Sequence, residues 1–377
     1  MVTNFEINSH AKRILIMEKI NSFTTKEEVI NYVKEFDVVA YKNTRNHLSG
    51  IVSRLSPFIT RGVISLPEIR DIILERYSYK QAEKFIQELA WREYWQEVWF
   101  AKGDDIFTDL RFSRDDWEHD KLVEAIVLAN TGIKSIDIQI EEMYQSGYMH
   151  NHARMWTAML ACNVAKAHWY NMSRWMYYHL FDGDLASNML SWQWVAGTNA
   201  GKRYVAHQKL INACSDTSQI RTYLTMSREE VGIGETPSQL KLTMNFDYIT
   251  NYPNSDEINW NSKVVFLYSP WTLDPEWCND EEGERVLIFE PCLFDRFPVS
   301  EKVIEFIVTV AKTQVPDIKL HIGNIRDVHF GESTTVKSKL YPSTKHWPGH
   351  RDIPEKLFPN VAGYYPSFFK YWKECTK

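Results

Sequence analysis

The chain contains 377 residues, of which 44% are hydrophobic, so it is long enough to bury sizeable cores and to form two or three domains. We expect two. No run of about 18 apolar residues occurs, and the first residues lack the basic, apolar and small-residue order of a signal peptide. These features predict a cytoplasmic protein without a membrane span. The five cysteines are scattered without a CxxC pair, which argues against a disulfide framework and against a zinc or iron–sulfur site.

The net charge of −6 argues against a protein that coats nucleic acid without specificity. The charge is unevenly distributed, however. Residues 147–212 carry six Lys or Arg against two Asp or Glu, whereas residues 251–300 carry ten acidic against three basic residues. This asymmetry leaves two interpretations open, a local basic face for nucleic acid or an ordinary solvated surface.

Helical patterns dominate the chain up to about residue 245. Thr25 with Glu28 predicts a capping box for a helix over about 26–38, and Ser65 with Glu68 predicts the start of the next. The segment 82–100 then places its apolar residues on one face of a long helix. We therefore predict a mainly α domain over residues 1–245.

The pattern changes after residue 245. Short apolar runs at 264–271, 285–294 and 319–324 predict strands, and the last two flank a helical pattern at 299–313. Strands separated by a helix are typical of a βαβ unit. We therefore predict a smaller α/β domain over residues 246–377.

Residues 147–204 contain the most informative cluster of polar and aromatic residues. Arg154 falls on a predicted helix, and Asp182 and Asp184 flank Gly183 in a turn. A buried arginine needs a carboxylate partner, and a flat heterocyclic ring needs both polar edges and stacking walls. The cluster fits such a pocket. An aromatic helical core with capping aspartates fits the same pattern.

Four ordered motifs in this chain resemble the flavin-domain signature of photolyases and cryptochromes. They are Tyr41–Asn46 with Ser53–Phe58, Glu88–Glu93, Gly147–Met155, and Asp182–Asn188 followed by Trp192-Gln-Trp194. The resemblance covers about residues 26–212, and the segment Tyr41–Asn46 is especially similar to the DASH cryptochromes. It implies a helical photolyase-type FAD-binding domain.

The resemblance also implies which residues hold FAD. The diphosphate would lie against Tyr41, Ser53, Arg54, Leu55 and Ser56. The flavin would contact Phe85, Arg92, Asn151, Arg154, Asp182, Gly183, Asp184 and Asn188, with Arg154 paired to Asp182 and Asn188 near flavin N5. The threonine that usually precedes the first serine is Val52 here, so one hydroxyl contact is missing.

The tryptophans and the substrate pocket are assigned by the same resemblance. Trp192, Trp169 and Trp117 match the three-tryptophan chain that carries electrons to the flavin, although an isolated buried tryptophan usually serves packing. The pocket for a cyclobutane pyrimidine dimer flipped out of DNA matches Glu88, Trp91, Met155 and Trp194, together with Asn188. Candidate phosphate contacts are Arg45, Lys202 and Arg203.

Several features depart from the family pattern. Only 40 residues precede Tyr41, where the family usually places an α/β antenna domain. The α/β domain predicted at 246–377 is therefore either a relocated antenna-like domain or an unrelated small domain. The segment Lys202–Gln208 also differs from relatives. His150 and His152 could suggest a metal site, but residues two apart on a helix point in different directions, so we expect no metal.

Two functions from different classes follow from the resemblance. The first is a lyase that uses blue light and reduced FAD to repair cyclobutane dimers in single- or double-stranded DNA. The second is a cryptochrome-like photoreceptor without repair activity. A helical interaction protein without a cofactor is the third interpretation. The sequence leaves any antenna chromophore, protein partner and oligomeric state open.

Overall fold

The structure, a computed structural model, describes residues 22–23, 25–227, 229–231, 233–361 and 363–377. Residues 1–21 lie outside the described residues. They belong to the first predicted domain and include the N-terminal residues for which we expect no signal peptide. The first part of the described chain is helical. Its helices are α1 (Lys26–Glu35), α2 (Val38–Thr44), α3 (Ser56–Arg61), α4 (Leu66–Arg76), α5 (Tyr79–Lys102), α6 (Glu124–Val127), α7 (Lys134–Ser146), α8 (Asn151–Met159), α9 (Trp169–His179), α10 (Leu185–Ala196) and α11 (Gln208–Ala213).

Both predicted capping boxes are formed, at Thr25 with Glu28 and at Ser65 with Glu68. Helix α1 ends at Glu35, three residues before the predicted end at 38. The reason lies in Asp37, whose side chain accepts hydrogen bonds from the backbone N–H groups of the next turn and so starts α2.

Helix α5 is the central element of the helical part. It buries the apolar face predicted from its spacing, including Phe85, Leu89, Trp95 and Trp99. It contacts α2, α4 and α10, and it also contacts the last helix of the chain. This position brings its polar residues beside the turn that precedes α10.

A parallel sheet of five strands forms the second part. Its strands are β3 (Val264–Tyr268), β4 (Glu284–Phe289), β5 (Lys319–Ile322), β6 (Thr335–Lys339) and β7 (His350–Asp352), after a small antiparallel pair of β1 (Leu122–Val123) and β2 (Thr243–Met244). The order across the sheet is β5-β4-β3-β6-β7. Helices α12 (Pro291–Arg296) and α13 (Glu301–Gln314) connect β4 to β5. This confirms the predicted fold class, a helical domain followed by a smaller α/β domain.

Strands β6 and β7 were not predicted. Their sequences, TVKSK and HRD, contain a single apolar residue between them, Val336. They join the sheet through parallel backbone pairing to β3 and then to each other. Apolar runs identify strands whose side chains are buried, so these two largely polar strands escape that criterion.

The end of the chain returns to the helical part. Helix α14 (Phe368–Cys375) contacts α5, and the Phe368 ring stacks on Trp91 at a centroid distance of 3.8 Å. The last helix thus packs on the helical part although it belongs to the predicted second domain. The predicted domain boundary between residues 245 and 246 therefore stays a prediction. In the part of the chain that the structure describes, no helix is long and apolar enough to cross a membrane.

Candidate functional site

A cavity of about 580 Å³, counting its open mouth, lies between α8, α9 and α10. It collects residues from α5, from α8 and from the Asp182–Asp184 turn. The predicted site residues that line it are Arg92, Asn151, Arg154, Met155, Asp182, Gly183, Asp184, Asn188 and Trp192. Residues far apart in sequence thus meet around one space with both polar and aromatic walls.

The Arg154–Asp182 pair forms one wall of this cavity. Arg154 Nη2 lies 3.0 and 2.9 Å from the two carboxylate oxygens of Asp182. Ser56 Oγ donates a further hydrogen bond to Asp182 at 2.6 Å, and Thr60 Oγ1 donates to the Asp182 backbone carbonyl at 3.1 Å. The predicted ion pair is therefore present, and α3 supplies one hydroxyl to the Asp182 carboxylate and another to the Asp182 backbone carbonyl.

Asp184 is held by residues from three directions. Its side chain, 1% exposed, caps α10 by accepting from Ser187 N at 2.7 Å. The other oxygen accepts from Gln96 and, at 2.8 Å, from the Tyr341 hydroxyl, and Arg92 Nη2 lies 3.7 Å away. Burial and the neighbouring carboxylate raise the pKa of Tyr341 well above its ordinary value, so the phenol keeps its proton and donates. Asp184 thus connects the cavity to the loop after β6.

Arg54 occupies the predicted phosphate loop. It is 8% exposed, and no hydrogen bond or ion pair joins it to an acidic side chain within the described residues. Its guanidinium lies 5.1 Å from the Tyr148 ring centroid, and Arg154 lies 5.5 Å from the same ring. Its φ of 54° is strained for a residue other than glycine. A buried cation of this kind needs an anion, and a diphosphate would supply one.

The remaining residues of the predicted phosphate side and flavin face lie beside α2 and α5. The Tyr41 and Phe85 rings meet edge to face at 5.2 Å. Leu55 is fully buried, and Ser53 is half-buried. Glu88 forms ion pairs with Arg45 at 3.4 Å and with Lys84 at 2.9 Å.

The predicted dimer pocket is only partly assembled. Met155 lines the cavity, but Glu88, Trp91 and Trp194 are absent from its lining. One face of Trp91 stacks on Phe368, and the Trp194 ring lies 5.8 Å from Tyr204. The last helix of the chain therefore covers an indole that the resemblance assigns to substrate.

The last helix is anchored by a buried carboxylate on α5. Glu93 accepts hydrogen bonds from Leu357 N, from Phe358 N at 3.2 Å and from the Tyr371 hydroxyl at 2.6 Å. Burial raises the pKa of Glu93 above its usual range. The segment that carries Phe368 is consequently tied to α5 by polar contacts as well as by ring stacking.

The three tryptophans predicted for electron transfer differ in burial, and Trp117 is the most exposed of them. Trp192, 2% exposed, lines the cavity, and Trp169 is fully buried at the start of α9. His168 lies between the other two indoles, 5.5 Å from Trp169 and 5.1 Å from Trp117 by ring centroids.

The predicted phosphate contacts differ in their availability. Arg45 is engaged with Glu88, and Arg203 Nη2 lies 2.7 Å from Asp116. Lys202 is exposed and has no acidic partner among the residues described. His150 and His152 have other contacts: His150 caps α8, and His152 Nδ1 lies 2.7 Å from the Asn46 carbonyl.

Three residues near the cavity escaped sequence reasoning. Gln96 follows Arg92 by one helical turn, so the spacing on α5 could have revealed it. Arg61 is fully buried and donates to the Phe181 carbonyl at 2.8 Å and the Pro270 carbonyl at 3.1 Å; burial lowers its pKa to about 10. Tyr341 lies in the loop after β6, and no local signal in the sequence predicts its contact with Asp184.

Comparison with known proteins finds a family match over part of the helical region. Residues 85–224 match the protein-family model described as the FAD binding domain of DNA photolyase. The chain is similar to the deoxyribodipyrimidine photo-lyase of Streptomyces griseus, with 33% identity over 43% of this chain and 36% of that protein. It is also similar to a cryptochrome DASH of Natronomonas pharaonis, with 29% identity over 53% of this chain and 45% of that protein. The chain spans less than half the length of these relatives.

Two solved structures are similar as well. A Synechocystis cryptochrome matches with 24% identity and a TM-score of 0.46 over 50% of this chain and 43% of that one. An Agrobacterium tumefaciens class III photolyase matches with 25% identity and a TM-score of 0.41 over 46% of this chain and 38% of that one.

The residues present fit FAD. Arg54, buried and without an acidic partner among the described residues, suits the diphosphate. At the cavity, Ser187 Oγ is buried without a hydrogen-bond partner in the described chain. The matched residues include the Arg154–Asp182 pair and the Asp182–Asp184 turn. Residues 85–224 of this chain are thus similar to the FAD-binding domain of DNA photolyase, and the chain resembles both photolyases and DASH cryptochromes.

Proposed function

We propose that this protein repairs cyclobutane pyrimidine dimers in DNA with blue light and reduced FAD. The observation that carries the proposal is the cavity in which Met155 and Asn188 lie beside the Arg154–Asp182 pair. Reduced FAD supplies the electron. An electron lent to the dimer allows the two bonds that close its cyclobutane ring to break, and it then returns, so the repair involves no net oxidation.

The residues of the chain bind and orient the reactants in this proposal. Arg54 neutralises the diphosphate, and Arg154 with Asp182 fixes the polar edge of the flavin. Asn188 donates through Nδ2 to the Ser173 carbonyl at 2.9 Å, which holds the rest of its amide toward the cavity. The cofactor is thereby positioned before the substrate arrives.

The substrate would be held by stacking and by a carboxyl group. Trp91 and Trp194 offer indole faces to the flipped pyrimidines, at about 1–3 kcal/mol per stacked base. This helps to offset a flipping cost of a few kcal/mol. Glu88 would donate or accept a hydrogen bond at the dimer. Lys202 is the exposed cation best placed for a phosphate, and such contacts make binding sensitive to salt.

The test is a repair assay. FAD-replete, chemically reduced protein is illuminated with a thymine-dimer oligonucleotide, single-stranded or duplex, and repaired product is counted by chromatography per absorbed photon. We expect repair in the light and none in the dark. Trp91→Ala should weaken lesion binding by about 1–3 kcal/mol while FAD stays bound. Tyr79→Ala, exposed on the same helix, is the matched control.

One observation favours a second function. The stacking of Phe368 on Trp91, at 3.8 Å and 11° between planes, places a residue of the chain on the face that repair would use. A photoreceptor that signals through its own last helix would have this arrangement. Reduced, FAD-replete protein that repairs neither single-stranded nor duplex dimers would favour the photoreceptor over the lyase.

A further inference from the structure

Two of the tryptophans behind the cavity have opposite electrostatic surroundings. The indole nitrogen of Trp169 donates a hydrogen bond to Asp109 Oδ1 at 2.8 Å. Trp169 is fully buried, whereas the Asp109 side chain is 21% exposed. A carboxylate therefore joins this buried N–H group to solvent.

Trp117 lies beside a cation instead. The Arg114 guanidinium is 3.8 Å from the Trp117 ring centroid. Arg114 and Arg203 share the single carboxylate of Asp116, so this group of three charges remains net positive. The Trp117 indole nitrogen is buried and has no hydrogen-bond partner in the part of the chain that the structure describes.

These surroundings decide which indole can be oxidised. A nearby carboxylate stabilises a positive ring and a nearby guanidinium destabilises it, since charges a few ångströms apart interact strongly away from bulk water. An oxidised indole is also a much stronger acid than a neutral one, and losing its N–H proton prevents the electron from returning. Proton transfer requires an acceptor within hydrogen-bond reach. Trp169 has one in Asp109, and the Trp117 nitrogen has none among the described residues.

We propose that the electron relay of this protein ends at Trp169, with Asp109 as the proton acceptor, and that Arg114 keeps Trp117 out of it. The inference rests on the proposed FAD-dependent function and on the electron route that the family resemblance assigns to Trp192, Trp169 and Trp117. With FAD bound and oxidised, Trp192, which lines the cavity, would supply one electron to the cofactor and recover one from Trp169. The Trp169 N–H bond then breaks, its proton passes to the Asp109 carboxylate, and a neutral indole radical and a neutral carboxyl group remain. A thiol added to the assay later reduces that radical.

The other groups that face Asp109 are compatible with this role. His168 Nε2 lies 3.8 Å from Asp109 Oδ1, and burial lowers the pKa of His168, which keeps the ring neutral. The charges that act on His168 besides Asp109 are Asp120 and Arg114. His168 Nδ1 accepts a hydrogen bond from Tyr170 N at 3.3 Å. In the neutral ring the proton is therefore on Nε2, the nitrogen that faces Asp109. The Asp109 carboxylate is therefore the acceptor that faces the Trp169 N–H group, at 2.8 Å.

Flash photolysis of the oxidised, FAD-loaded protein tests the assignment, because the cation and the neutral radical of tryptophan have different absorption spectra. We expect Asp109→Asn, which keeps an acceptor oxygen but cannot take the proton at neutral pH, to slow neutral-radical formation at least ~10-fold. Trp117→Phe should leave that rate close to the wild-type value. Trp95→Phe, on the buried face of α5, serves as the matched control.

A second measurement needs neither light nor activity. In a ¹H–¹⁵N spectrum of the protein in the dark, Asp109→Asn should move the indole N–H resonance of Trp169, identified with Trp169→Phe. An unchanged deprotonation rate in Asp109→Asn, or loss of the neutral radical in Trp117→Phe, would overturn the proposal. Failure of the relay itself is distinguishable, because Trp192→Phe would then photoreduce at the wild-type rate.

Discussion

Replacing Asp182 by alanine tests the centre of the candidate site. The Arg154 side chain is 23% exposed and that of Asp182 is 5% exposed. The substitution removes both oxygens that face Arg154 Nη2, at 3.0 and 2.9 Å, and leaves the Met149 carbonyl, 2.8 Å from Nε, as an acceptor. It also removes the acceptor of the Ser56 hydroxyl.

Breaking a buried ion pair by removing one partner costs about 3–5 kcal/mol. Because water still reaches part of Arg154, we reduce this to ~2 kcal/mol, or roughly 30-fold in an equilibrium constant. We expect the free energy of unfolding of the cofactor-free protein to fall by this amount. FAD should also be lost on gel filtration, since the uncompensated guanidinium would face the flavin.

Urea unfolding and the absorbance of retained flavin measure the two effects. Asp182→Asn separates charge from hydrogen bonding, because the amide keeps an oxygen that Ser56 can donate to. Glu332→Ala, at an exposed position, is the control. The reasoning is refuted if Asp182→Ala unfolds at the wild-type urea concentration and retains FAD as the wild type does.

Three further predictions follow from buried contacts. Burial and Lys302 lower the pKa of His179 from 6.5 to about 4, so between those pH values the unfolded chain binds one more proton than the folded chain. The free energy of unfolding should therefore fall by up to ~3 kcal/mol as the pH drops from 6.5 to 4. Urea titrations should show that His179→Phe flattens this pH dependence. Phe368→Ala should uncover Trp91 and raise the affinity for a thymine-dimer oligonucleotide, measured by fluorescence anisotropy; an unchanged affinity would show that the last helix does not compete with substrate. Tyr341→Phe removes a hydrogen bond to a buried carboxylate and should lower the free energy of unfolding by about 1.5–3 kcal/mol without changing the urea m-value.

Local patterns predicted the parts of the site that depend on neighbours in sequence. The turn around Gly183 and the buried face of α5 follow from local spacing, whereas the Arg154–Asp182 pair, 28 residues apart, was implied by the family resemblance. Contacts made across the fold were not predicted. Phe368 reaches Trp91 only because Glu93 fixes the end of the chain on α5, and no periodicity in the sequence records that contact.

The electrostatic setting of each tryptophan was also beyond sequence reasoning. Spacing grouped Trp117 with Trp169, but it carries no information about what lies over the ring. Arg114 is only three residues from Trp117, and its approach to 3.8 Å depends on how the loop folds onto the Ala196 carbonyl and Asn163. Motif spacing thus locates an indole without predicting how readily it loses an electron.

The fully buried Arg61 has a consequence for engineering. Its guanidinium donates to the Phe181 carbonyl, just before the Asp182–Asp184 turn, and to the Pro270 carbonyl, just after β3. Excising the helical part would leave this cation without one of its acceptors and with no sheet to shield it from water. We therefore expect that the cofactor-binding half is not a portable module. A chimaera that transplants it should keep the segment around Pro270, or supply an equivalent acceptor for Arg61.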